Sequence, residues 1–419
     1  MIQRKANRYR LYPDAGQRET LARIAGACRM VYNLALEQRR DWWQRYRDRT
    51  GQAISFAGQC RELTALRQEV DWLREAPIHP LQQALRDLNR AYQNFFSGRT
   101  GYPTPRRKGL HDSFRFPDPT SLRVERTGKR TGRIKLPKLG WVAFRGWYDL
   151  PGAIRNITLS RRAGQWFASV QWERDCAEPA SSVQPAVGLD MGVSVFAATS
   201  TGELIAPGDF GKNALRALQK AQRAVSRKKK GSANRRKAIW RVQKLHARVA
   251  NARKDFLHKL STTITKNHGR VVVEALQVRN MSASAKGTAE EPGRNVRQKS
   301  GLNRSILDQG WRMFRTFLGY KLAERGGRLV EVPAAYTSQT CSVCGVTDPA
   351  SRVSQARFVC TACGHIENAD INAAKNILRR ADSPLKPVEG HRIKRPVEAG
   401  SLGWLLDASS NQNHRPSGR

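Results

Sequence analysis

Seven side chains of this 419-residue sequence combine a reactive type with an informative spacing: Cys341, Cys344, Cys360 and Cys363, and the carboxylates Asp190, Glu274 and Asp370. The cysteines stand as CSVCG and CTACG, a C-x2-C-x15-C-x2-C pattern whose glycines suit the tight turns that aim paired thiolates at one ion. Four sulfurs close a tetrahedral Zn²⁺ shell and leave no position for water, so the expected zinc is structural. An iron–sulfur cluster is the alternative this spacing leaves open. His365 is expected beside the site rather than in it, because four thiolates already complete the shell.

The carboxylates pose a different problem. Asp190 lies inside VGLDMGVSV and Glu274 ends RVVVE, apolar runs in which an unpaired charge would cost on the order of several kcal/mol. Asp370 heads INAAKNILRR, where Ala373, Ala374, Ile377 and Leu378 define a packed helix face. Taken one at a time they read as a turn former, a strand-end charge and a helix N-cap. Taken as strand, strand and helix in a very basic chain, they follow the order of an RNase H-like nuclease and would converge. Converging carboxylates are driven to high pKa values unless divalent cations bind them. Two Mg²⁺ ions suit the set, since Mg²⁺ takes oxygen ligands and keeps waters, and a two-ion site serves phosphodiester hydrolysis.

The elements that must carry these residues follow from periodicity. Residues 2–12 read as a basic strand. Leu21, Ile24, Cys28, Val31 and Ala35 then recur at helical spacing, a second helix carries Leu63, Leu66, Val70 and Leu73, and a third runs from Pro80 to a stop at Gly98. GRTGYPTPRRKG, 98–109, is a connector that neither a helix nor a central strand could absorb. From 113 to 175 the alternation is strand-like (SFRF, SLRV, RIKL, WVAF, NITLS, WFASVQW), which suggests a small barrel that includes strand 2–12, with the helices inserted. After 185 come an apolar strand turned back at Ser200-Thr201-Gly202, a helical hairpin over 213–265 and a buried strand at 270–276. A loop at 279–301, expected to be mobile, leads to a helix from Asn303 to Arg325 and the strand GRLVEVP. Beyond Ala381 the composition reads as a disordered tail.

The 75 Lys and Arg against 34 Asp and Glu give a formal charge of +41, which calls for a polyanion. Ten Trp and 39% hydrophobic residues argue against a simple packaging protein. The N-terminus has no apolar signal region and no run of about 18 apolar residues occurs, so the expectation is an intracellular chain with no membrane contact. Seven cysteines, four at metal spacing, argue against a disulfide framework; Cys28, Cys60 and Cys176 read as small buried hydrophobes. Lys228, Lys229, Lys230, Arg235 and Arg236, at the hairpin turn, are the expected phosphate contacts. Trp42, Trp43, Tyr46 and Tyr102 are conceivable base contacts, though aromatics at helical spacing usually belong to a core.

RLYPDAGQ, GYPTPRRK, VGLDMGV, VVVEAL, YTSQTCSVCG, CTACGH and ADINAAKNIL, in this order over most of residues 9–380, resemble the TnpB family of transposon-associated RNA-guided nucleases. The resemblance implies that Asp190, Glu274 and Asp370 are a RuvC catalytic triad holding two Mg²⁺ ions. It implies that Cys341, Cys344, Cys360 and Cys363 hold the zinc of a target-nucleic-acid-binding module. The implied fold is α/β with all-β and all-α parts. A wedge β-barrel (1–14 and 98–180) carries an inserted helical recognition domain (15–97), and an RNase H-like RuvC domain (185–335 and 365–381) carries an inserted zinc ribbon (336–364), before the tail at 382–419. It further implies a guide RNA from the transposon end, cleavage of double-stranded DNA beside a short adjacent motif, and action in the prokaryotic cytoplasm on the nucleoid. Many relatives carry charged residues before the last aspartate, where this chain has Asn368-Ala369. A nuclease-inactive RNA-guided repressor and a DDE-type transposase are the alternatives; the first would lack the triad, and the second would not explain a zinc knuckle feeding the last carboxylate helix. Oligomeric state is not legible.

Overall fold

The computed structural model describes residues 1–382 apart from 47, 48, 50, 52 and 289, so the expected tail falls, but for Asp382, outside the described residues. The helical unit comprises α1 (Ala15–Arg45), α2 (Phe56–Glu69), α3 (Asp71–Glu75) and α4 (Ile78–Phe96). The stretch expected as one second helix breaks at Val70, whose extended backbone separates α2 from α3. The motif RLYPDAGQ shows why α1 starts where it does. The Asp14 carboxylate accepts from Gln17 N while Gln17 Oε1 accepts from Asp14 N, a reciprocal cap. The Gln17 amide then donates to Leu139 O and Trp141 O, which ties the helix to the sheet it leaves.

Strand β1 (Ile2–Leu11) joins β2 (Ser113–Phe116), β3 (Arg123–Arg126), β4 (Thr131–Leu136), β5 (Gly140–Arg145), β6 (Ala153–Arg162) and β7 (Gln165–Asp175) in an antiparallel sheet ordered β2-β6-β7-β1-β5-β4-β3. The N-terminal strand thus belongs to this sheet, as its alternation predicts. The ladder is not closed into the expected barrel among the described residues: β2 and β3 stand at its two ends. Pro117 and Pro119, which have no N–H to donate, lie in the connection between them, where Pro119 opens a short 3-10 turn. The sheet and the helical unit share one core, with Leu21, Ile24, Leu81 and Leu88 packed in the same cluster as Ile134, Val142 and Ile157.

The second half of the chain builds on a five-stranded sheet ordered β10-β9-β8-β11-β12. It contains β8 (Ala186–Asp190), β9 (Ala197–Thr199), β10 (Leu204–Ile205), β11 (Arg270–Glu274) and β12 (Arg328–Val332). β8, β11 and β12 are parallel, while β9 and β10 turn back antiparallel. Between them lie the hairpin helices α5 (Phe210–Ser226) and α6 (Ala233–Asn267). The segment expected as a loop begins and ends in helix, with α7 (Val278–Met281) and α8 (Val296–Gln309). The helix expected from Asn303 is divided at Gly310, whose φ of 74° ends α8 before α9 (Trp311–Ala323). A two-stranded ribbon, β13 (Arg357–Val359) and β14 (Ile366–Asn368), leads into α10 (Ala369–Arg380). Among the described residues no helix is long and apolar enough to cross a membrane.

A buried ion pair fastens the connector to α1: Arg29 donates to Asp112 at 2.5 Å, and the same carboxylate oxygen accepts from Gly109 N. Asp112 is buried, so removing it strands a guanidinium. Asp112→Ala is expected to cost about 3 kcal/mol in chemical denaturation; an unchanged midpoint would show that the pair does not hold these elements together.

Candidate active site and zinc cluster

β8 and β11 are parallel with Leu189 opposite Val273, so the next residue of each strand, Asp190 and Glu274, lies at one edge of the sheet. That edge, at the carboxyl ends of parallel strands, is where open α/β sheets place their ligand sites. The third carboxylate arrives on α10, which packs across β8. A Cβ on Gly188 would stand 2.1 Å from Ala374 O, so only glycine lets the helix approach this closely. Asn368, not Asp370, caps that helix: its side-chain oxygen accepts from Asp370 N and Ile371 N. The departure at Asn368 therefore relieves Asp370 of the capping duty and leaves its carboxylate for the cavity.

Asp190, Glu274, Thr337, Arg352, Gln355 and Asp370 line a cavity of about 270 Å³. Burial, then the neighbouring Glu274 and Asp370 charges, push the Asp190 carboxyl up to about 7. Burial also raises Glu274, against the Thr337 hydroxyl and the Arg380 charge, and raises Asp370, against Arg352. Protonation or a bound cation would each relieve this burden, and hard oxygen donors are of the type that Mg²⁺ takes.

Sequence reasoning missed the residues that hold this arrangement. The Thr337 hydroxyl donates to Glu274 Oε1. Asn376 of α10 donates to Thr337 O and Thr340 O, and Asn372 donates to Thr340 O while accepting from Ser342 N. The helix that carries Asp370 therefore also fixes the loop that orients Glu274 and leads into the first knuckle. The signal was present as two asparagines four apart on the buried face of ADINAAKNIL, where apolar residues are the norm. Arg352 reaches Asp370 at 3.4 Å, and Gln355 donates to Ser194 Oγ at 2.9 Å, so the ribbon segment overhangs the carboxylates. One arginine among so many gave no sequence signal.

The sulfurs of Cys341, Cys344, Cys360 and Cys363 lie within 4.8 Å of one another, with 3.7 Å between Cys341 and Cys363 and 3.5 Å between Cys344 and Cys360. Tetrahedral zinc with Zn–S bonds of about 2.3 Å sets its sulfurs about 3.8 Å apart, whereas a disulfide brings them to about 2 Å. The cluster can therefore hold zinc. His365 stays a neighbour: its carbonyl accepts from Cys360 N, and its ring lies 3.4 Å from Glu367.

The expected phosphate contacts divide. Lys228, Lys229, Lys230 and Arg236 are exposed at the hairpin turn, while the Arg235 guanidinium is spent on Val225 O and Lys228 O at the end of α5. The larger concave surface lies further along, between the hairpin and the first sheet. It is a groove of about 1180 Å³ lined by Arg10, Lys220, Arg241, Lys244 and Arg248, with Trp240 donating to Ala163 O at its wall.

Two outcomes follow from these geometries. Asp190 has a folded-state pKa raised from 3.8 to about 7, so its burden is absent below about pH 4 and complete above about pH 7. Asp190→Asn should then raise the thermal midpoint of the magnesium-free protein at pH 8 and leave it unchanged at pH 4; equal midpoints at pH 8 would refute the electrostatic account. Metal analysis of the purified chain should find one zinc, lost in Cys360→Ser, with increased hydrogen exchange across 337–342; retention of that protection without zinc would separate the loop from the cluster.

Comparison with known proteins places the chain. A family described as "Probable transposase" matches residues 168–285, "Cas12f1-like, TNB domain" matches 311–377, and "Helix-turn-helix domain" matches 1–48. The last description does not fit the described residues 1–46, which hold a strand and one continuous helix through Arg45. The "Putative RNA-guided DNA endonuclease InsQ" of Escherichia coli (strain K12) is 42% identical over 397 residues, covering 94% of this chain and 96% of that protein. A "Putative RNA-guided DNA endonuclease" of Streptomyces pristinaespiralis is 37% identical over 384 residues, covering 90% of this chain and 89% of that one. Among solved structures, a "Cas12f1-sgRNA-target DNA complex" superposes with a TM-score of 0.54 at 13% identity, over 90% of this chain and 98% of that chain, a likeness of fold. With relatives this similar along nearly its whole length, the chain belongs to the TnpB family.

Proposed function

We propose that this chain is an RNA-guided DNA endonuclease that hydrolyses phosphodiesters with Asp190, Glu274 and Asp370. The observation that carries the reading is the convergence of these three carboxylates in one cavity, in a chain 42% identical to a protein named for that activity. The strand order β10-β9-β8-β11-β12, three antiparallel strands followed by two parallel to the first, supports an RNase H-like RuvC domain at 185–335 and 365–381. The antiparallel sheet (1–14 and 98–180) serves as the wedge, the helices (15–97) as the recognition unit and the cysteine module (336–364) as the zinc ribbon.

Two Mg²⁺ ions, when bound by the three carboxylates, would supply an activated water and charge neutralisation at the leaving oxygen. The chain's own residues do the positioning. Thr337 holds Glu274, Asn368 leaves Asp370 to the cavity, and Gly188 brings α10 to β8. Arg352, already beside Asp370, is placed to meet the negative charge of a phosphate entering the cavity. The groove between hairpin and sheet, with the exposed lysines of the turn, holds nucleic acid by its backbone, while base pairing with a transposon-derived guide supplies sequence. The target is double-stranded DNA beside a short adjacent motif.

The test co-expresses the protein with its flanking transposon-end DNA, sequences the bound RNA and challenges the complex with matching plasmid in Mg²⁺. Discrete RNA and cleavage that falls by about 10³-fold or more in Asp190→Ala, with DNA binding retained, is the expected result. Binding without cleavage by the wild type would support a repressor, strand joining a transposase, and absence of discrete RNA would remove the guided reading.

A further inference from the structure

The core-facing stripe of α1 outruns its core. Its buried residues end at Leu36, yet the same helical spacing continues through Arg39, Trp43 and Tyr46. There, with α4 and Tyr102, the helix encloses a separate cavity of about 560 Å³, within the size range of ligand sites. Its walls are aromatic faces: Trp43 lies 6.1 Å from Phe96, Phe95 5.3 Å from Tyr102, and Tyr92 meets Tyr102 edge-on at 5.7 Å. These rings are not a finished core, since Phe96 is 65% exposed, Trp43 47% and Tyr102 45%.

The polar groups at this cavity are those that meet a nucleobase. Arg39 lies over the Tyr92 ring at 5.4 Å, donates to Gln59 and Asn89, and keeps Nη2 buried with no acceptor among the described residues. Arg40 and the amides of Asn89 and Gln93 also line the cavity. An exposed apolar cavity on a chain of charge +41 disfavours a second copy of the same chain and favours the bases of a polyanion.

We propose that this cavity stacks an unpaired base of the bound guide RNA. RNA is recognised chiefly where bases are splayed out and laid on aromatic rings or guanidinium planes, with amides reading their edges. This site lies apart from the phosphate groove and the carboxylates, and it rests on the RNA-guided reading above.

Filter binding of the co-purified RNA to wild type, Phe96→Ala, Tyr102→Ala, the double variant and Tyr102→Phe, across a salt series, tests it. Loss of stacking should weaken RNA binding roughly 5- to 100-fold in the double variant, with Tyr102→Phe close to wild type. The slope against salt should not change, because no phosphate contact is removed. Ultraviolet crosslinking of the wild-type complex should join an RNA base to Trp43, Phe96 or Tyr102, a readout independent of how the variants fold. Unchanged RNA affinity in folded variants, a loss confined to DNA binding by the preassembled complex, a change in self-association instead of RNA affinity, or no crosslink at these residues would each overturn the proposal. Failure of the wild type to bind discrete RNA would instead overturn the guided reading on which it rests.

Discussion

The gathering of three carboxylates, Glu274 buried and Asp190 and Asp370 partly so, is the constraint around which the second half of this chain is arranged. Asp190, Glu274 and Asp370 stand in one small cavity, and burial alone would favour their neutral forms. Nothing local keeps them together. They are separated by more than eighty residues at each step and arrive on two strands and a helix. Their proximity is held by backbone packing: the parallel register that ends β8 and β11 together, and the missing side chain at Gly188 that lets α10 lie against β8. A side chain there would meet main-chain atoms, which cannot rotate away as a flexible side chain can. The electrostatic strain at the site is thus sustained by a part of the fold that has little freedom to relax.

The same logic explains why the zinc cluster sits where it does. α10 begins at Ala369, directly after Asn368, the last paired residue of the second ribbon strand, and its two buried asparagines hold the loop that enters the first knuckle. A zinc held by the four thiolates would crosslink the two knuckles, and its rigidity would pass through Thr340 and Thr337 to Glu274. The ribbon is therefore part of the support of the carboxylate cavity as well as a module on its surface.

The sequence made the strands, the knuckles and the carboxylates legible because each is governed by local pattern: alternation, cysteine spacing, and a charge placed in an apolar run. Breaks decided by one residue's backbone were less visible. Val70 divides the second helix and Gly310 the later one, and neither disturbs the apolar period that predicted a single element. The expected barrel closure is not seen in the ladder of the described residues, since alternation shows that strands exist but not whether the two end strands meet. Arg352 and Thr337 were invisible for the opposite reason: their roles depend on tertiary neighbours, while an arginine and a threonine are common residue types here.

Charge and aromatic surface divide between different parts of the molecule, and this division bears on how it holds a polyanion. The groove at the hairpin presents lysines and arginines along a length, which suits a repeating phosphate backbone and carries no sequence information. The cavity at the end of α1 presents rings and only a few cations, which suits a base removed from its stack. Electrostatic attraction weakens with salt while stacking hardly does, so a complex held by both resists exchange under conditions that would release one held by charge alone. On the proposed reading the carboxylate cavity requires the opposite property, since a strand that enters it must leave after hydrolysis. Under that reading, binding surfaces set apart from a small carboxylate-lined reaction site would meet both demands in one chain.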